Sequence, residues 1–174
     1  NVNERPFNVL LASCFASSQS ESMSLGGSFL NLQRCEPVDI KILCGDQVYL
    51  DDPSAYFLKN THSYNDLEDL LFSNYAKTWT QNRPSTGFQQ FLQTGANFFS
   101  SDDHEFWNNA PNRATLIRDS WFEQGRNNWL EIARNLLGIF QSNSARTEFN
   151  VGTLSFFIAD TRINRESERS NFMS

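Results

Sequence analysis

Apolar and polar positions along this chain follow two alternating periods. Four short apolar runs stop abruptly at polar residues and predict strands: Phe7 to Ala12, Pro37 to Leu43, Ala96 to Phe99 and Gly152 to Thr161. The second is almost unbroken, as expected of a strand covered on both faces. Elsewhere the apolar residues recur three and four apart. Leu67, Leu70, Leu71 and Tyr75 predict a helix running to Thr80, with Ser63 as its N-cap and Asp66 in its first turn. Phe88, Phe91 and Leu92 suggest a short helix after Pro84, and Trp121 and Phe122 are assigned to another. Trp129, Ile132, Ala133, Leu136, Leu137 and Phe140 form one stripe on a helix spanning Asn128 to Phe140, read as core packing rather than a cofactor or partner face. Ser17 to Ser28, with Gly26 and Gly27, reads as loop, and Leu30 to Arg34 is too short to assign. Asp51-Asp52-Pro53 signals a turn.

The order strand, strand, two helices, strand, two helices, strand implies crossover connections and an α/β sheet. Its four strands end in Cys14, Asp46, Asp102-Asp103 and Asp160. Ligands of open α/β sheets bind outside the carboxyl ends of the strands, so these ends carry the chemistry.

The 174 residues read as a single domain, 1–174, long enough to bury a core. A net charge of -6 argues against a sequence-independent nucleic-acid binder, which needs clustered Lys and Arg. It leaves room for a phosphorylated substrate, because a bound cation inverts the local sign. No apolar run approaches the roughly 20 residues of a membrane span, and no signal-peptide pattern opens the chain. The three cysteines fit no zinc pattern and cannot all pair within the chain. Cys35 and Cys44 are expected to be buried or partly buried free thiols. Cys14 and Cys44 each lie at an expected strand end, and Cys35 lies in a polar stretch.

Gly45 permits a tight turn, and Asp46 after it is either a hard oxygen ligand or a solvated turn aspartate. A bridging carboxylate can hold two cations about 3.5–4 Å apart, with Tyr49 in reach of the same place. Asp102-Asp103-His104-Glu105 sets three carboxylates around a histidine. That is either an acidic helix start or a proton donor kept charged by its neighbours. Asn108 and Asn109 offer neutral oxygen ligands, or simply cap a loop. Arg162 and Arg165 either clamp phosphate oxygens or pair with Glu166 or Glu168. His62 is read as a loop histidine.

Leu11-Ala12-Ser13-Cys14, Gly45-Asp46-Gln47-Val48-Tyr49-Leu50-Asp51, Asp102-Asp103-His104-Glu105 with Asn108-Asn109, and Ala159-Asp160-Thr161-Arg162 with Arg165 occur in that order. Together they resemble the alkaline phosphatase D-like (PhoD-like) branch of the calcineurin-like metallophosphoesterases. The resemblance implies a four-layer αββα sandwich of two mixed sheets between helices. It implies hydrolysis of phosphate mono- or diesters by a metal-activated water. Cys14, Asp46 and Tyr49 would ligate iron, with Asp46 bridging to calcium or another divalent ion. Asp103 would ligate the second metal or neighbour it, Asn108 or Asn109 would supply an amide oxygen, and His104 would stabilise the transition state or act as general acid. The family's later Gly-Asp-x-His-type block has no counterpart after Arg165, and no histidine follows His104. The resemblance therefore covers the first half of such a domain, with a C-terminal half or second chain as an expected partner. The alternative is a truncated or degenerate relative that binds a partner without catalysis. It predicts an exposed apolar face on the last strand or on the Asn128–Phe140 helix.

Overall fold

The computed structural model describes residues 5–15, 25–51, 63–80, 88–115, 117–142 and 144–165. The expectations for Asp52-Pro53, His62, Pro84, Glu166, Glu168 and the Ser-rich stretch before Leu25 lie outside them. Strands β1 (Val9–Ala12), β2 (Ile40–Cys44) and β3 (Ala96–Ser100) form a parallel sheet in that order. Leu11 aligns with Ile42 and Ile42 with Phe98, so the three strands end together at one edge. Parallel pairing forces crossovers, and these supply the helices.

One face of the sheet carries Leu10, Ala12, Leu43 and Phe99, packed with Phe15, Phe29, Phe88 and Phe91. Phe29 belongs to α1 (Leu25–Cys35), and Phe88 and Phe91 to the short α3 (Phe88–Leu92). The start of α1 corrects the loop expectation for Gly26 to Ser28. Gly26 and Gly27 read locally as a breaker, but Phe29 stacks on Phe91 at 4.9 Å and meets Phe15 at 5.4 Å. That packing outweighs poor helix propensity of about 1 kcal/mol per glycine.

Lys41 lies fully buried in the middle of β2 on this side. Its Nζ donates to the carbonyls of Phe91 and Thr94 and sits 4.5 Å from the Phe91 ring centroid. Burial pushes its ammonium down to about 8. The neutral amine still has two N–H donors for the two carbonyls. Between pH 8 and the ordinary lysine value the unfolded chain binds the extra proton, so folding stability rises with pH there. The urea midpoint of the wild type is expected to climb from pH 7.5 to 9.5. That of Lys41→Met should stay flat, and parallel curves would refute the assignment.

The opposite face meets a second, two-stranded antiparallel sheet, β4 (Arg146–Val151) paired with β5 (Leu154–Ala159). Phe149 stacks on Phe98 of β3 at 3.8 Å and on Phe156 at 4.8 Å, and Phe156 reaches Phe7. This corrects the expectation that the last strand joins the first three. β5 is hydrogen-bonded to β4, whose alternation of Arg146, Glu148 and Asn150 with half-buried Thr147, Phe149 and Val151 hid it among polar residues.

The larger core lies between α2 (Tyr64–Thr80) and α4 (Glu123–Phe140). Leu67, Leu71 and Tyr75 pack with Trp129, Ile132, Ala133, Leu136 and Leu137, as the stripe predicted. Ser63 and Asp66 cap α2 reciprocally, each backbone N–H bonded to the other's side chain at 3.2 Å. Trp121 ends a 3₁₀ turn (Arg118–Trp121) and Phe122 caps α4 in extended conformation. Both are exposed, so only part of the helical expectation there holds. Val48, Leu50, Phe106 and Trp107 also enter this core. The segments leaving β2 and β3 are therefore nailed down just beyond the strand ends. Cys35 and Cys44 are exposed rather than buried, since each ends its element.

Candidate functional site

Three backbone features converge at the sheet edge. Among the described residues, the only non-glycine residues with positive φ are Cys14 at 61°, Asp46 at 56° and Asn109 at 61°. Each follows a strand or turn that stops abruptly, and each was singled out from the sequence as a ligand. Non-glycine residues persist in the left-handed region only where the surroundings hold them there. Cys14 N–H donates to Gly45 O and Phe15 N–H to Asp46 O, fastening the end of β1 to the turn after β2. Gly45, with φ of 88°, lies so close to Asp102 that an added Cβ would fall 2.5 Å from the Asp102 Cβ. That close approach brings the turn after β2 onto the turn after β3.

Asp46 is buried, and its two carboxylate oxygens face different partners. Oδ1 accepts the His104 backbone N–H at 3.2 Å, and Oδ2 lies 3.5 Å from the Cys14 thiol, which donates to it. Burial pushes its carboxyl up, opposed by the His104 amide and imidazole and reinforced by Asp102 and Asp103. Tyr49 stacks on the His104 ring at 4.3 Å between centroids. Its phenol is pushed up, first by burial and then by the charges of Asp46 and Cys14. Asp46, Asp103 and His104 each present a ligand atom within 4.8 Å of the others.

Asp51, only 1% exposed, turns out to be the orienting residue for His104. Its Oδ1 lies 2.7 Å from His104 Nδ1, and its Oδ2 accepts the Asn108 N–H at 2.8 Å. Nε2 is thus the nitrogen left for a ligand or substrate. Desolvation disfavours the imidazolium, but the Asp51 hydrogen bond and the charges of Asp51, Asp46 and Asp103 outweigh it, so the net shift is upward. In the sequence Asp51 opens a turn signal and closes the Gly45–Asp51 block, with no role of its own.

Asp103 accepts the Asn109 backbone N–H, which fixes its carboxylate. The Asn109 side-chain amide donates to Asn108 Oδ1 at 2.8 Å, and both asparagines are exposed beside the cluster. Asp160 accepts from Ser101 N–H and Oγ and from the N–H groups of Arg162 and Ile163, so its role is structural. Arg162 pairs with Asp102 at 2.7 Å and donates to Ala110 O at 2.9 Å. Its pairing is therefore with a residue of the site. Arg165 is half-buried, and its backbone N–H donates to Arg162 O.

Glu105 is wholly buried beneath these groups. Its Oε2 accepts the N–H groups of Asp46 (2.8 Å) and Asp102 (2.9 Å), and its Oε1 those of Gln47 (2.6 Å) and Val48 (3.4 Å). Burial pushes it up to about 7, against the pull of these amides. From the sequence it was one of three carboxylates around a histidine, with nothing to separate it from its neighbours.

The remaining donors fit a hard cation. Asp102 is occupied by Arg162, Asp51 by His104 and Glu105 by backbone amides. Asp46 and Asp103 keep carboxylate oxygens in mutual reach without a cationic side chain bonded to either. Such a pair is electrostatically unfavourable until a cation joins it. No protein-family model, curated protein or solved structure matches this chain. No helix among the described residues is long and apolar enough to cross a membrane.

Proposed function

We propose that this chain is a metal-dependent phosphoesterase domain of PhoD-like type, hydrolysing phosphate mono- or diesters. The observation that carries this reading is the meeting of Asp46, Asp103 and His104 ligand atoms within 4.8 Å at the ends of adjacent parallel strands. Asp46 and Asp103 would hold the divalent ion, and Cys14, Asp46 and Tyr49 the iron. Bound cations would supply the charge that activates water and neutralises phosphate. The Asp51 hydrogen bond occupies His104 Nδ1 and leaves Nε2 for a proton donor's role. His104 Nε2 then gives its proton to the leaving oxygen, while Asp51 holds the ring and stabilises its charge. Arg162, tied to Asp102 and Ala110 O, would meet the phosphate through its remaining N–H groups. The stacking of the β4–β5 hairpin on the parallel sheet supports the finer expectation of an αββα sandwich with two facing sheets.

A second reading is favoured by Leu11, Leu154, Phe157 and Ile139, which stay more than half exposed. It is a binding module that buries these positions against another chain. One experiment separates the two. Elemental analysis of the purified chain, followed by assay on chromogenic phosphomonoesters and phosphodiesters, is expected to find near-stoichiometric iron or divalent metal with hydrolysis. A chain that holds no metal, takes up none when it is added and hydrolyses neither ester overturns the enzyme reading. Apolar-dye binding by that inactive chain would then point to the module.

A further inference from the structure

The turn after β2 presents successive N–H groups from Asp46, Gln47 and Val48 on one side, a concave arrangement of the kind that receives an anion. Here the anion is internal: the Glu105 carboxylate fills it. Its Oε2 also takes the Asp102 N–H, so one oxygen is shared between the turn after β2 and the turn after β3. Asp46 stands on the first turn and Asp103 and His104 on the second. The His104 N–H to Asp46 Oδ1 and Leu50 N–H to His104 O bonds also cross between the turns, but among the described residues Glu105 is the side chain that takes backbone N–H groups from both. Asp46, moreover, is held with positive φ, a conformation that needs support.

We infer that Glu105 is the positioning residue of the metal centre: by locking these two turns together it sets the separation of Asp46 from Asp103 and His104. The inference rests on the metal reading above. It has a geometric consequence that charge alone lacks. A carboxylate one methylene shorter keeps the negative charge but cannot reach both turns.

The test uses Mn²⁺ alone as the probe, followed by electron paramagnetic resonance, on wild type, Glu105→Asp and Glu105→Gln. Near-UV circular dichroism selects variants that are folded. Glu105→Asp is expected to weaken Mn²⁺ binding by about tenfold or more and to alter the bound-ion spectrum. Glu105→Gln, which turns an amide N–H₂ toward backbone donors, should do the same. A purely structural role would lower the unfolding midpoint and leave the affinity of the folded protein unchanged. Wild-type binding matched by Glu105→Asp overturns the inference and leaves the metal reading standing. A wild type that binds no Mn²⁺ overturns the metal reading and the inference with it. Should both variants fail to fold, amide exchange in the wild type decides. Slow exchange at Asp46, Gln47 and Asp102 that slows further with Mn²⁺ supports the lock, and free-loop rates there overturn it.

Discussion

Asp46→Asn is expected to abolish metal loading and to cut phosphoester hydrolysis on the order of a thousandfold, while leaving the metal-free fold as stable as the wild type or slightly more so. The two halves of that result come from the same geometry. Asparagine has the shape of aspartate, and its amide oxygen can still accept the His104 N–H that Asp46 Oδ1 receives. What disappears is the negative charge that would bridge two cations, worth several kcal/mol of transition-state stabilisation, with each ~1.4 kcal/mol a factor of ten. The charge is also a burden on the fold, since burial, Asp102 and Asp103 all push the Asp46 carboxyl up. Removing it relieves that burden, the usual exchange of stability for function. Parallel thermal melts and metal analyses of the two proteins check both halves. A metal-free variant that melts far below the metal-free wild type would mean Asp46 serves the fold. Retained hydrolysis would remove it from the chemistry.

Gly45→Ala carries the second large effect, and it falls on folding. Two costs add at this position. Alanine with φ of 88° sits where L-residues are disfavoured by about 1–2 kcal/mol. Its Cβ would also meet Asp102 Cβ at 2.5 Å and Asp102 N at 2.7 Å, contacts that require backbone to move. Overpacking of that kind costs about 1–3 kcal/mol. The sum, about 2–5 kcal/mol, is a large share of the 5–15 kcal/mol that ordinarily holds a domain together. Gly152 provides the control. It too has positive φ, 58°, but nothing lies within 4 Å of an added Cβ. Gly152→Ala should therefore show only the smaller conformational cost. Urea unfolding of both variants tests the difference, and equal losses would mean that the approach to Asp102 is unimportant.

The periodic parts of this fold were legible because their partners are local. The α2 and α4 stripes, the Ser63–Asp66 cap and the three parallel strands were all expected within a few residues. The elements that escaped are those whose local signal opposes their tertiary setting. Gly26 and Gly27 masked α1, which Phe29 secures from a distance by stacking on Phe91. The polar alternation of β4 masked a strand whose inward Phe149 stacks on Phe98. The site shows the same division. Cys14, Asp46, Tyr49, Asp103 and His104 could be picked as residue types suited to metal and phosphate, and the strand ends bring them together. Asp51 and Glu105 could not be told from other acids of the same blocks. Their roles are defined by what they touch, an imidazole 53 positions away and backbone amides up to 59 positions away.

Loop closure gives these long spans a kinetic meaning. The contacts that build the site join residues 32, 58 and 59 positions apart. The β4–β5 hairpin closes on itself around Gly152, and pairs of that kind form in about 1–10 μs. The strand-end cluster, by contrast, must await three separate chain closures, each opposed by entropy that grows with the logarithm of its length. The helices and the hairpin can thus exist before these contacts do. On the ribosome the dependence is stricter still. Ser101 is held by Asp160, so the ledge carrying Asp103 and His104 gains its last anchor only when the residues after β5 have been made.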